Sequence, residues 1–271
     1  MTRVPLEVSG LTKTFPTPAG SFTAVRNVNV RINEGEFVCL LGHSGCGKST
    51  VLSIAAGLDR ATDGGVVLDG REVVEPGLDR AVVFQTPSLL PWLTARENVR
   101  LAVNRAFARE SRHERAARVT RVFDLLDIAE VADERPGDLS LGTRQCVSLA
   151  RALAMEPRCL LLDEPFSMLD SLTRFALQDE LLRAWDARRR IVVMVTHDID
   201  EALYLADRLV LMTDGPEARV GDVLSVPFGR PRSRAAVLAH PEYHACRRRV
   251  FEFLEHHAGH GRPAARMTAS H

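Results

Sequence analysis

The sequence predicts an α/β fold, on three observations. A glycine-rich stretch, Gly42-His43-Ser44-Gly45-Cys46-Gly47-Lys48-Ser49-Thr50, follows a strand-like apolar run at 37–41 and precedes a helix-like run at 50–56. Short apolar runs alternate with helical patterns, as in α/β domains. A further apolar run, Leu160-Leu161-Leu162, ends on two adjacent carboxylates, Asp163 and Glu164.

The chain is β-rich to about Leu41, with strands expected at 6–8, 23–25 and the alternating 28–32. Residues 37–41 read as a buried strand, and 66–70 and 81–84 as further strands. The middle is helical. Thr94-Ala95-Arg96-Glu97 and Ser111-Arg112-His113-Glu114 are capping boxes. The second opens a helix with Val119, Val122, Phe123 and Leu126 on one face. Arg135-Pro136-Gly137-Asp138 breaks it, and a helix runs from about Thr143 to Met155. The β/α alternation resumes with a strand at 159–163, a helix around 171–189, a strand at 191–195, a helix around 200–206 and a strand at 209–212. From about Gly221 the chain turns Arg-, Pro- and His-rich. Gly259-His260-Gly261-Arg262-Pro263 is expected to be disordered. His256, His257 and His260 read as part of a solvated polar tail rather than a metal site.

With 271 residues the chain fits one large α/β domain with an extension. The expected division is a domain at 1–220, with a helical insertion at about 88–156, and an extension at 221–271. A hydrophobic content of 45% supports a sizeable core, and a net charge of zero excludes the general basic character of nucleic-acid binders. Five cysteines without paired spacing fit a reducing compartment. No apolar run approaches the ~18–20 residues that span a bilayer. The N-terminus lacks the apolar core of a signal peptide. The expected location is the cytosol, with any link to a membrane made through a partner.

The glycine stretch matches the pattern Gly-x-x-x-x-Gly-Lys-Ser/Thr. Its glycines let successive backbone N–H groups point at one anion, and the following helix N-terminus adds partial positive charge. Lys48 supplies a full charge for the β- and γ-phosphates, and the Ser49 hydroxyl can ligate Mg²⁺. The chain uses Arg almost wherever it needs a cation; Lys13 and Lys48 are its two lysines. A planar guanidinium does not replace a compact ammonium in a tight loop. Cys46 reads as a small residue whose backbone does the work, with a redox role as the alternative. Asp163, at the carboxyl end of its strand, can hold the Mg²⁺ that Ser49 contacts, and Glu164 is placed as general base toward water. Gln85 follows a strand and can bind Mg²⁺ or position water. His197 follows another and can meet the γ-phosphate or the attacking water.

In chain order stand the glycine loop, Gln85, Leu139-Ser140-Leu141-Gly142-Thr143-Arg144-Gln145, Leu162-Asp163-Glu164-Pro165, Phe166-Ser167-Met168-Leu169-Asp170 and His197. This series resembles the motifs of ABC-transporter ATPase subunits over about residues 4–220. The resemblance implies a P-loop (RecA-like) α/β core with an N-terminal antiparallel β subdomain and an inserted α-helical subdomain. It implies ATP and Mg²⁺ as ligands, and Phe15 as the ring that stacks on adenine. It implies that Ser140 and Gly142 cap the γ-phosphate bound by a second subunit in a head-to-tail dimer, and that Asp170 lies in the loop communicating across that dimer. The implied partners are a second ATPase subunit, identical or paralogous, integral-membrane permease subunits and, through them, a periplasmic substrate-binding protein. None is nucleic acid. The implied place is peripheral, on the inner face of the cell membrane.

The family's usual signature is Leu-Ser-Gly-Gly-Gln; here Leu141 replaces the first glycine and Thr143 the glutamine. Glycine lets a backbone approach phosphate. A leucine is compatible with that if its side chain points away. Otherwise the site is weakened, and pairing with a different ATPase is expected. The stretch Phe84-Gln85-Thr86-Pro87-Ser88-Leu89-Leu90-Pro91-Trp92-Leu93-Thr94 is similar to importers of small oxyanions and sulfonates. Residues 212–216, 221–232 and 240–243 are similar to nitrate-type ATPase subunits, with sulfonate, taurine, cyanate and bicarbonate importers as alternatives. Trp92 reads either as an anchor at a permease contact or as core. A soluble ABC ATPase of DNA repair or translation is disfavoured, since the chain has no long coiled-coil insertion, second ATPase copy or basic patch. A non-hydrolysing subunit is disfavoured by Asp163, Glu164 and His197.

Overall fold

Two sheets carry the fold in the computed structural model, which describes residues 6–18 and 20–257. Strands β1 (Leu6–Thr17) and β2 (Gly20–Ile32) pair antiparallel. β2 is one strand where the sequence predicts two. Asn27 takes a left-handed backbone at φ 51, and the pairing shifts register around it instead of ending. β3 (Phe37–Leu41) runs into the glycine loop and α1 (Lys48–Ala56). β4 (Asp63–Leu68) and β5 (Arg71–Glu72) return to the first sheet, giving the order β2-β1-β4-β5.

β6 (Arg80–Val83) leads to the helical part: α2 (Ala95–Ala106), α3 (Arg112–Leu125) and α4 (Leu141–Ala154). Both predicted capping boxes form, Thr94 with Glu97 and Ser111 with Glu114. α4 starts two residues earlier than the sequence suggests. Ser140 caps it by accepting the Thr143 N–H at 3.1 Å, which draws Leu141 and Gly142 into the first turn.

β7 (Cys159–Asp163), α5 (Ser171–Ala187), β8 (Ile191–Thr196), α6 (Ile199–Leu205) and β9 (Arg208–Met212) resume the alternation. They are followed by β10 (Val220–Ser225), α7 (Arg234–Leu238) and α8 (Tyr243–His257). The second sheet has the order β10-β9-β3-β8-β7-β6, parallel except for β10.

The central strands are buried on both faces, which is why they read as unbroken apolar runs. Alternate residues serve two cores. Phe37, Cys39 and Leu41 join one that includes Val99, Phe123, Val147 and Leu181 of the helices. Val38 and Leu40 join the other, with Leu52 and Ile54 of α1 and Leu6, Val28 and Val66 of the antiparallel sheet. All five cysteines are free and buried.

The sheet continues past residue 220. β10 pairs with β9, and Phe228, Val237, Tyr243 and Val250 belong to the same core as Phe37. Arg232 fastens this segment. Its side chain is 1% exposed, and its guanidinium donates to the carbonyls of Tyr204 at 3.0 Å, Ala206 at 2.7 Å and Phe228 at 2.9 Å. His256 and His257 lie on α8, and among the described residues no cluster could hold a metal. His260 and the 259–263 stretch lie outside the described residues. Lys13 ties β1 to the chain after α1, donating to Asp59 at 2.6 Å and to the Arg60 carbonyl at 2.8 Å. No helix among the described residues is long and apolar enough to cross a membrane.

Candidate active site

Because β3, β8, β7 and β6 are parallel neighbours, their carboxyl ends share one edge. Leu41 pairs with Thr196, Asp163 with Val195, and Val83 with Leu162. The chain therefore delivers Gly42, His197, Glu164 and Gln85 to the same edge, where open α/β sheets bind ligands.

The glycine stretch leaves its loop at Gly47, the residue before α1, whose φ of 87 suits glycine, and a Cβ there would collide with Val25 of β2. α1 begins with no side-chain cap, so its first N–H groups are left for an anion. Lys48 is buried, and its ammonium donates to the carbonyls of Gly42 at 2.7 Å and His43 at 2.8 Å. Ser44 and Gly45 are exposed at the loop's crest, and Thr50 is half-buried in α1. Cys46 is buried, and burial raises its thiol pKa despite the nearby Lys48.

Ser49 Oγ donates to Asp163 Oδ1 at 2.7 Å. Burial pushes the Asp163 carboxyl up; the Ser49 bond opposes this and the Glu164 charge adds to it. Glu164 has a left-handed backbone, φ 46. Such a conformation costs on the order of 1–3 kcal/mol for a non-glycine residue. It is held by the Glu164 N–H donating to Val195 O at 3.0 Å and by Ser167 Oγ donating to Glu164 O at 3.0 Å. The carboxylate then reaches His197 Nδ1 at 3.3 Å. Gln85 Nε2 donates to Ser167 Oγ at 3.0 Å, which ties the end of β6 to the Glu164 turn. Ser49, Asp163, Glu164 and His197 are thus brought together, with Gln85 joined through Ser167.

A family model described as ABC transporter matches residues 25–167. The chain belongs to the ABC transporter family. It is similar to the nitrate import ATP-binding protein NrtD of Synechococcus elongatus, 50% identical over 89% of this chain and 88% of that one. It is similar also to the bicarbonate transport ATP-binding protein CmpD of Synechocystis, 46% identical over 94% and 90%. A solved dimeric structure of the ATP-binding cassette MJ0796, bound to ADP and Pi, overlays with a TM-score of 0.73 at 33% identity, covering 83% of this chain and all of that one. The chain is an ATPase subunit, and its fold is that of the ABC cassette: mixed α/β with an antiparallel subdomain and a helical subdomain.

In this ABC subunit the signature lies on the helical part. Ser140 Oγ is 2.8 Å from Thr143 Oγ1, and a Cβ on Gly142 would strike Thr173 at the start of α5. Asp170 caps that helix, accepting from the N–H groups of Leu172 and Thr173 at 3.1 Å each. Neither Ser140 nor Gly142 bonds to the loop 42–50 among the described residues. Leu141 is partly buried and packs onto the core, so its side chain points inward. Phe15 is half-buried on β1, paired with Phe22, three residues along β2 from the Val25 that abuts Gly47. The Lys13 ammonium is 4.9 Å from the centre of its ring. Trp92 is 66% exposed, which removes the core reading for it. Buried Asn98 fixes the segment before α2, accepting from the Leu90 N–H and donating to the Leu93 carbonyl.

Three contributors escape sequence reasoning. Asp214, after β9, holds His43 Nδ1 at 2.8 Å. Ser167 joins Gln85 to Glu164. A polar network backs the His197 turn: Asp198 accepts from the Glu201 N–H at 2.9 Å and pairs with Arg174 at 3.3 Å, and Arg174 also donates to Leu169 O at 3.1 Å. The spacing Asp198-Ile199-Asp200-Glu201 is a helix-start signal that could have exposed this last part.

Glu201 is buried and accepts from Gln178 Nε2 at 2.7 Å. Burial is the main cause that pushes its carboxyl up to about 7; Asp198 adds, while Thr196, Gln178 and Arg174 oppose. A raised folded-state pKa means stability that is present below the ordinary value, 4.5, and lost as pH rises through about 7. Relative to Glu201→Gln, the wild type should lose on the order of 3 kcal/mol across that window. Urea unfolding of both proteins at the window's ends measures this. Equal pH dependence would remove Glu201 as the titrating group.

Proposed function

We propose that this chain powers an importer of nitrate or bicarbonate by hydrolysing ATP on the edge built from β3, β6, β7 and β8. The observation that carries it is the pairing of Ser49 with Asp163 at 2.7 Å beside Glu164 and His197 at 3.3 Å. The loop 42–50 binds the phosphates of ATP through its N–H groups and Lys48. Lys48 then trades the carbonyls of Gly42 and His43 for phosphate oxygens. Two oxygen donors 2.7 Å apart at a strand end fit a Mg²⁺ ion, which takes hard oxygen ligands. Ser49 and Asp163 would hold it, with the Gln85 carbonyl oxygen available because the Gln85 nitrogen is engaged by Ser167. When bound, the ion neutralises charge on the β- and γ-phosphates. Glu164 takes the proton of the attacking water, and His197 orients it or the γ-phosphate. Phe15 stacks on adenine.

Ser140 and Gly142 act on the nucleotide of a second subunit, and Asp170 couples the two halves. The inward Leu141 side chain leaves that approach open, so the reading does not require an unlike partner. Leu141→Gly should cost roughly 1–3 kcal/mol through lost packing and helix propensity, with no gain in ATPase rate. Thermal unfolding and a steady-state assay check this; a faster enzyme would mean that Leu141 does obstruct the site.

The 85–94 segment, with exposed Trp92, carries the motion to permease subunits at the inner membrane face, and a periplasmic binding protein supplies the ion. Similarity to NrtD and CmpD supports nitrate and bicarbonate about equally. An ATPase of this kind does not itself select the ion. Uptake of labelled nitrate and of labelled bicarbonate, with this subunit deleted and restored, separates them. Loss of neither on deletion overturns the importer reading.

A further inference from the structure

The phosphate loop is gripped from two sides. On one, Val25 of β2 closes on Gly47. On the other runs the connection from β9 to β10, residues 213–219. A Cβ on Gly42 would stand 3.0 Å from the Met212 carbonyl oxygen, and one on Gly215 would stand 3.6 Å from that of Gly45. Backbone thus abuts backbone at the loop's entry and at its crest. A side-chain bond joins the two segments, His43 Nδ1 to Asp214 Oδ1 at 2.8 Å. A carboxylate accepts, so Nδ1 carries the hydrogen. The Asp214 side chain is 16% exposed, which shields the bond in part from water.

The connection is itself anchored. The Glu217 N–H donates to the Thr23 carbonyl at 2.8 Å, the Ala218 N–H to that of Ala24 at 3.1 Å, and the Arg26 N–H to that of Ala218 at 2.9 Å. Its two ends are joined, the Thr213 N–H donating to the Arg219 carbonyl at 2.9 Å and the Arg219 N–H to Thr213 Oγ1 at 3.0 Å. Asp214 therefore reaches the loop from a braced support. The bonds of Lys48 to the Gly42 and His43 carbonyls are those that phosphate replaces. The bond of His43 to Asp214 needs no such exchange. A loop held in its binding shape loses less freedom when ligand arrives, so the effect of this bond falls on affinity.

We propose that Asp214 is a positioning residue for nucleotide, holding the turn 42–46 through His43 in the shape whose N–H groups converge on phosphate. The proposal rests on the reading of the loop 42–50 as the phosphate site. The test is ADP binding to the full chain by titration calorimetry, with inorganic tripolyphosphate as competitor. Asp214→Ala should weaken both ligands by the same factor, about fivefold, as for the loss of one hydrogen bond. Asp214→Asn keeps an acceptor for Nδ1–H and should restore most of the affinity. His43→Ala should match Asp214→Ala, and the double variant should be no weaker than either. Unchanged binding in Asp214→Ala would overturn the proposal, as would an Asn variant as weak as the Ala variant. So would losses that add in the double variant. A loss for ADP that spares tripolyphosphate would overturn it too, by moving the effect to the base side through β2. Wild type that binds neither ligand would remove the phosphate-site reading itself, and this proposal with it.

Discussion

Glu164→Gln is expected to leave ATP binding intact and to slow hydrolysis on the order of 10²–10⁴-fold, the usual contribution of a positioned base. The substitution keeps size and shape, so the hydrogen bonds that hold the left-handed backbone, to Val195 O and from Ser167 Oγ, remain. What is lost is the carboxylate's capacity to take a proton. The phosphate-binding side is not harmed. Glu164 is one of the causes that raise the Asp163 carboxyl, so a neutral amide makes Asp163 easier to ionise. Single-turnover hydrolysis should therefore fall while nucleotide affinity is kept or improved. Near-normal hydrolysis would remove Glu164 from the role of base.

Arg232→Met is expected to cost about 3–5 kcal/mol of stability, the range seen when one member of a buried charged network is removed. Burial, with Arg230 beside it, pushes the Arg232 guanidinium down to about 10, so it remains charged at neutral pH. Its acceptors include the carbonyls of Tyr204 and Ala206, which have no further helical turn to bond once α6 ends. Methionine fills the volume and leaves those carbonyls buried without a donor. For a chain of this size the loss should lower the melting temperature by roughly 10 °C. ATP affinity measured below the transition should stay unchanged, since Arg232 is far along the chain from the phosphate loop and bonds to none of it. A melting temperature unaltered within error would mean that α7 and α8 are held by their apolar contacts alone.

The parts of the site legible in the sequence are those where chemistry fixes residue type and spacing together. The loop 42–50, the Asp163-Glu164 pair after an apolar strand, and the Thr94 and Ser111 caps are local, and each stands where its pattern says. The segment after 220 was not legible for a physical reason. β10 is an edge strand with one buried residue, Leu224, in six, so it lacks the apolar run of β8. Gly221 looks like a turn residue, yet a Cβ there would strike the Phe253 ring of α8. Only the folded structure shows that neighbour. Nor does sequence separate β2 from two short strands, because Asn27 at φ 51 resembles a break until its cross-strand register is known. The position of Leu141 was open for the same reason: the side of the α4 terminus it faces is set by packing against the core.

The scarcity of lysine has a practical consequence. Lys13 is engaged by Asp59, its side chain 13% exposed, and Lys48 is 4% exposed inside the phosphate loop. The remaining surface cations of the described residues are arginines and histidines. Amine-directed acylating reagents therefore find almost no side-chain background on this protein. The few amines that do react can be assigned one by one in peptide maps, and Lys48, buried and bonded to two loop carbonyls, should be the slowest of them.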